Sequence, residues 1–170
     1  MALHGKFIVN DANFSPLSFP GFGTYLAFSG NNQYRNHSGC TAIPNNGPIP
    51  AGKYWIVDRP TAGLRSKTIT FFKDIASGIK HAEWFALYQD DGIIDDYAWV
   101  NGVKRGNFRL HPRGRGGISE GCITLQHITD FYALRNFLLH TTMIKIPRTN
   151  LSAYGTIEVI ANGKICSVSD

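Results

Sequence analysis

The sequence predicts a mostly β domain with one main helix (α+β), and three observations predict it. Eighteen glycines and eight prolines in 170 residues call for many turns and argue against a helical bundle. The apolar and aromatic runs are short and rich in strand-forming residues. Only residues 128–140 carry helical spacing. With 43% hydrophobic, 12% aromatic and 17% charged residues, the chain can bury a core and lies outside the disordered class. No linker and no repeat period breaks it, so residues 1–170 read as a single domain.

In chain order, Phe7-Ile8-Val9 and Thr24-Tyr25-Leu26-Ala27-Phe28 are strand candidates, the second followed by a turn at Ser29-Gly30-Asn31-Asn32. Residues 36–53 form a long loop with Pro44, Pro48 and Pro50. Lys53 to Val57 then reads as a strand stopped by Asp58-Arg59-Pro60. Thr68 to Phe72 and Glu83 to Tyr88 are further strands, followed by a turn at Asp90-Asp91-Gly92. Tyr97 to Val100, Asn101-Gly102 and Val103 onward make the strongest hairpin signal, because Asn-Gly suits the tight turn whose twist matches two paired strands. Phe108 to His111 is a strand ended by Pro112. In the helix, Thr129 or Asp130 is the expected cap, and Phe131, Leu134 and Leu138 fall on one face. Thr156 to Ile160 is the last strand, and the irregular middle is expected to fold as a small flap.

The net charge of +5 (17 Lys+Arg against 12 Asp+Glu) and a pI near 9.2 suit an anionic partner without choosing among nucleic acid, membrane surface and acidic polymer. No apolar stretch approaches the roughly 18 residues of a membrane-spanning helix. The N-terminus does not read as a signal peptide, so synthesis as a cytosolic chain is expected. Cys40, Cys122 and Cys166 are odd in number, so at least one thiol is free. Without a CxxC or HxxxH pattern, no metal is expected, and no cofactor motif is read.

The segment with chemistry in it is Arg109-Leu110-His111-Pro112-Arg113-Gly114-Arg115-Gly116-Gly117-Ile118-Ser119-Glu120-Gly121-Cys122-Ile123. A histidine ends one strand, a glycine-rich loop follows, and a cysteine opens a second apolar run. A free thiol with a pKa near 8.5 is only about 3% thiolate at neutral pH, so a cysteine nucleophile needs a base beside it. A neighbouring imidazole can take the proton. Gly121, with no Cβ, lets the amides of Gly121 and Cys122 converge on a developing oxyanion. Ser119, through its carbonyl or hydroxyl, is the nearest candidate to orient the imidazole. The same spacing also fits a buried structural Cys122 beside a surface His111.

His111 followed by Ser119-x-Gly121-Cys122 resembles the signature of L,D-transpeptidases, cysteine enzymes of bacterial peptidoglycan. Gly47-Pro48-Ile49-Pro50-Ala51-Gly52-Lys53-Tyr54-Trp55-Ile56 is similar to that family's Thr-Pro-x-Gly-x-Tyr/Phe segment. Gly39 to Gly52 and Phe108 to Pro112 look closest to a branch of short antibacterial effectors delivered by type VI secretion. The motifs span roughly residues 35–125. Glu120 stands where housekeeping members have histidine, and Ile123-Thr124 where they usually have Arg or Asn, departures that suit the effector branch.

The resemblance implies an L,D-transpeptidase-like β-sandwich or barrel, its flap covering the cleft. It implies Cys122 as nucleophile and His111 as base and then acid, acting on tetrapeptide stems of peptidoglycan. D-Ala would leave after meso-diaminopimelate, and water or a D-amino acid would take the acyl group. It further implies the type VI secretion apparatus as carrier, the periplasm of a target bacterium as the place of action, a cognate immunity protein as partner, and neither nucleic acid nor membrane insertion. The readings from another class are a basic cell-wall or nucleic-acid binding module and a different cysteine amidase or peptidase.

Guanidinium groups bind carboxylates through paired hydrogen bonds, which makes Arg109 and Arg113 candidates for substrate binding; Arg115 also flanks the site. His37 is a candidate to line the cleft. Cys40 and Cys166 could pair in an oxidising compartment or remain core residues. Trp55, Trp84 and Trp99 read as core, with one of them a possible wall of the groove. Arg113-Gly114-Arg115-Gly116-Gly117 also resembles a short RNA-binding element.

Overall fold

The computed structural model describes residues 1–60 and 80–168. Its elements are β1 (Leu3–Val9), β2 (Ser15–Phe19), β3 (Gly23–Phe28), β4 (Gly52–Asp58), β5 (Phe85–Gln89), β6 (Tyr97–Val100), β7 (Val103–Gly106), β8 (Arg109–Pro112), β9 (Ile123–Leu125), α1 (Ile128–Leu139), β10 (Ile144–Lys145), β11 (Ser152–Ala153) and β12 (Gly155–Ala161). β1 alternates buried and exposed residues along its whole length, as a strand with one wet face must. Eight strands close a barrel in the order β1-β12-β4-β5-β8-β9-β3-β2. Closure leaves no strand edge unpaired around that ring. Two of its pairs are parallel, β1 with β12 and β8 with β9, and the rest are antiparallel.

The inward residues of these strands make one core that includes Phe7, Leu17, Phe19, Ile56, Leu110, Ile123 and Ile157. Helix α1 adds Phe131, Leu134 and Leu138, the face its spacing predicts, and lies against β8 and β9. Burial of each such side chain is worth about 1.5–3 kcal/mol. A smaller cluster of Trp55, Val57, Ala86, Ile146 and Ala153 packs separately.

Several expectations are corrected. β1 begins four residues earlier than Phe7, because the small and polar residues at its start still pair in register with β12. β2 was not expected; Pro16 sits in it in register with Leu26. The helix has His127 at its N-cap position, with no side-chain cap bond, and Thr129 and Asp130 lie within its first turn. The hairpin at Asn101-Gly102 forms as expected, with both residues at positive φ. It stands outside the barrel as a two-stranded sheet, so Trp99 on it is 65% exposed and not core. The strand expected at Thr68 to Phe72 lies outside the described residues, as does part of the middle expected to form the flap. Among the described residues no helix is long and apolar enough to cross a membrane.

Cys40 and Cys166 are joined in a disulfide, with Cα atoms 4.5 Å apart, and Cys122 is the free cysteine. The C-terminal segment passes so close to Ser38-Gly39 that a Cβ on Gly39 would meet the Ile165 carbonyl. A side chain there would force the two segments apart.

A candidate active site at the ends of two parallel strands

The parallel register of β8 and β9 pairs Leu110 with Ile123 and His111 with Thr124. Extended by one residue, it sets Cys122 opposite Arg109. Side chains alternate along a strand, so Arg109, His111, Cys122 and Thr124 share one face, and Leu110 and Ile123 point the other way into the core. Thus two residues eleven positions apart in sequence become diagonal neighbours, because the loop between them returns the chain to run beside itself in the same direction.

The His111 imidazole is buried, at 5% exposure. Its Nδ1 donates to the Pro112 carbonyl at 2.8 Å, and its Nε2 accepts from the Thr124 hydroxyl at 3.2 Å. The carbonyl can only accept, so Nδ1 carries the proton and Nε2 is the basic nitrogen. The Trp84 indole stacks on the imidazole with ring centroids 4.1 Å apart and planes 16° apart, and His81 covers another part of Trp84 at 4.1 Å. Burial pushes His111 down to about 4; the Pro112 hydrogen bond opposes this, and the charges of His81 and Arg59 add to it.

Cys122 is also buried, and burial pushes its thiol up to about 11. The backbone N–H and guanidinium of Arg109 favour the thiolate against that, while Glu120 and Asp96 oppose it. The thiol donates to the Asn107 carbonyl at 3.7 Å. Both groups therefore rest uncharged, a thiol beside a neutral imidazole. His111 and Cys122 line one cavity of about 340 Å³, with His81, Trp84, Arg115 and Glu120 among its other walls.

Gly121 has φ +88, and a Cβ there would lie 2.5 Å from the Arg105 guanidinium and 3.0 Å from the Phe108 ring. Only glycine fits this close approach in this conformation. Arg105 itself is 4% exposed and donates to the carbonyls of Thr41, Gly47 and Pro48. It thereby pins the 41–48 loop against the nucleophile's turn.

Ser119 is placed differently from the expectation. Its buried hydroxyl donates to the Cys122 carbonyl at 2.9 Å, while Pro112 and Thr124 hold the imidazole. Ser119 lies three residues before Cys122, and the bend at Glu120-Gly121 folds the chain so that its short side chain reaches that carbonyl. Arg109 forms a two-pronged ion pair with Asp96, both contacts 2.6 Å. Arg113 and His37 line a neighbouring cavity rather than the one that holds Cys122. His37 lies 3.6 Å from Asp11 there. The sequence reading did not single out Arg105, His81 or Thr124. Thr124 had a legible signal, its place two residues after the cysteine on the same strand face. Of the three tryptophans, Trp84 is the one that walls the groove, while it also packs against the core.

The family model described as the Tlde1 domain matches residues 23–149, which include every residue of this site. No curated protein matches the chain.

Proposed function

Because the chain belongs to the Tlde1 domain family, a type VI secretion effector family, we propose that it modifies bacterial peptidoglycan by cysteine acyl transfer in the periplasm of a target cell. The observation that carries this reading is the convergence of Cys122 and His111, from the ends of two adjacent parallel strands, on one cavity. A neutral imidazole with Nε2 free of a proton is the form a general base requires.

In this reading, the acyl donor is the bond between meso-diaminopimelate and D-Ala in a tetrapeptide stem. Nε2 of His111 takes the thiol proton as Cys122 Sγ attacks the carbonyl carbon, and the amides of Gly121 and Cys122 receive the developing oxyanion. With the thiol held protonated at rest, deprotonation accompanies attack. The C–N bond breaks, His111 returns the proton to the departing amine of D-Ala, and a thioester remains. Water then releases a tripeptide, or the amine of a D-amino acid takes the acyl group. Either outcome depletes the tetrapeptide donors that cross-linking needs, and such a toxin calls for an immunity protein in the producing cell.

The test is mass spectrometry of purified muropeptides after incubation with the wild type or with Cys122→Ala, with and without free D-amino acid. Loss or exchange of D-Ala by the wild type alone supports the reading. Unchanged stem masses overturn it. Cleavage at the amide between sugar and stem would instead identify an amidase.

A further inference from the structure

Gly116 and Gly117 form a wall between the Cys122 cavity and a second, polar cavity of about 430 Å³. Two arginines from separate segments, Arg35 and Arg113, line that second cavity. They are close enough for the charge of Arg113 to oppose that of Arg35. Neither makes an ion pair with a carboxylate among the described residues. Asp11, the acid in this cavity, is engaged elsewhere, accepting from the backbone N–H and hydroxyl of Ser38 and lying beside His37.

Both guanidinium groups have partners, Arg35 half-buried and Arg113 exposed. Arg35 lies 4.0 Å over the Phe28 ring and donates to the Gly117 carbonyl at 3.4 Å. Arg113 donates to the Gln126 side chain at 3.3 Å and lies against Gly117. Two like charges side by side, neither in a direct ion pair among the described residues, repel each other, and an anion between them relieves that repulsion. A carboxylate is the anion that guanidinium forks fit best in a peptide substrate.

We propose that Arg35 and Arg113 form a carboxylate subsite next to the Cys122 cavity. It takes a free carboxylate of the stem peptide or of the D-amino acid acceptor. The inference rests on the acyl-transfer reading of Cys122 and His111. The cavity that holds the two arginines adjoins the Cys122 cavity along Gly116 and Gly117, so one peptide can reach both.

The experiment is calorimetric titration of the Cys122→Ala protein, with and without R35Q/R113Q, against a tetrapeptide stem and against the same stem with its diaminopimelate carboxylate amidated. A parallel arm measures wild-type exchange kinetics with a D-amino acid and with its amide. The expected result is about fivefold or greater loss of affinity for the acidic stem in R35Q/R113Q. Amidation should produce the same loss with intact arginines and none in the double variant. If the loss appears only in the KM of the D-amino acid, the acceptor's carboxylate is the one held.

R35K/R113K should recover part of the affinity, because it restores charge without the fork. That recovery separates ligand binding from a loss of folding, as does an unchanged melting temperature. Unchanged affinity of R35Q/R113Q for the acidic stem, with no change in acceptor KM, overturns the subsite while wild-type processing of the stem stands; a loss in R35Q/R113Q that amidation does not reproduce assigns the subsite to another carboxylate of the stem. Failure of the wild type to process any stem overturns the acyl-transfer reading and the subsite with it.

Discussion

Trp84 lies flat on His111, their ring centroids 4.1 Å apart and their planes within 16° of parallel. The indole shields one face of the imidazole from water and restricts its rotation. Its own Nε1 is buried and has no hydrogen-bond partner among the described residues.

Replacing Trp84 by Leu should therefore change the titration of His111 as well as the rate. Water admitted to the imidazole face lessens the burial that depresses its pKa, so the value should rise from about 4 toward that of free histidine. The acid limb of the pH–rate profile should move to higher pH, and kcat should fall about tenfold with little change in KM. An unchanged acid limb would show that the stack does not tune the base.

The two buried groups also set the pH range of stability. Between about pH 6.5 and 4 the unfolded chain protonates His111 and the folded chain does not, so stability falls as pH drops through that window. On the alkaline side the unfolded chain ionises Cys122 from about pH 9, whereas the folded thiol holds its proton to about 11, so stability falls again as pH rises. Urea titrations at stepped pH should show a plateau from about 6.5 to 9. In His111→Asn the acid slope should flatten by an amount on the order of 3 kcal/mol over the window. An acid slope as steep as that of the wild type would assign the acid loss to other groups.

Ser119 acts on the backbone of the nucleophile, through its 2.9 Å bond to the Cys122 carbonyl. Ser119→Ala should cost about 1 kcal/mol of stability. It should lower kcat by a few-fold through a looser thiol position, with the pH–rate profile unmoved, because the imidazole is held elsewhere. A shifted profile would restore Ser119 to contact with His111.

The disulfide between Cys40 and Cys166 spans 126 positions. Cross-linking residues this far apart constrains the unfolded chain, and losing it should cost about 3–5 kcal/mol. Equilibrium unfolding with and without dithiothreitol, and of the Cys40→Ser/Cys166→Ser variant, measures this. Equal midpoints under both conditions would show that the bond adds no stability.

Local patterns were legible where a few neighbouring residues carry the whole signal. The Asn101-Gly102 turn follows from the positive φ those two residues accept most easily. The buried face of α1 follows from the spacing of Phe131, Leu134 and Leu138. β2 escaped because Pro16 weakens its strand pattern, yet pairing on both sides with β1 and β3 outweighs that local preference. Trp84 and Trp99 look alike in sequence, yet Trp84, just before β5 of the barrel, packs against the core, and Trp99, on the hairpin outside it, is exposed.

The chemistry-bearing residues themselves, Cys122 and His111 flanking a glycine-rich loop, stand in the sequence, as do the residues that resemble L,D-transpeptidases. What the sequence could not decide is everything that depends on register between distant strands. The parallel pairing of β8 with β9 puts His111 and Cys122 on one face, and barrel closure brings Trp84 over the imidazole. Tertiary structure likewise ties Cys40 to Cys166 and sets Arg35 and Arg113 on one cavity. Local propensities act over a few residues, whereas these contacts exist only once the strands have chosen their neighbours and buried a common core.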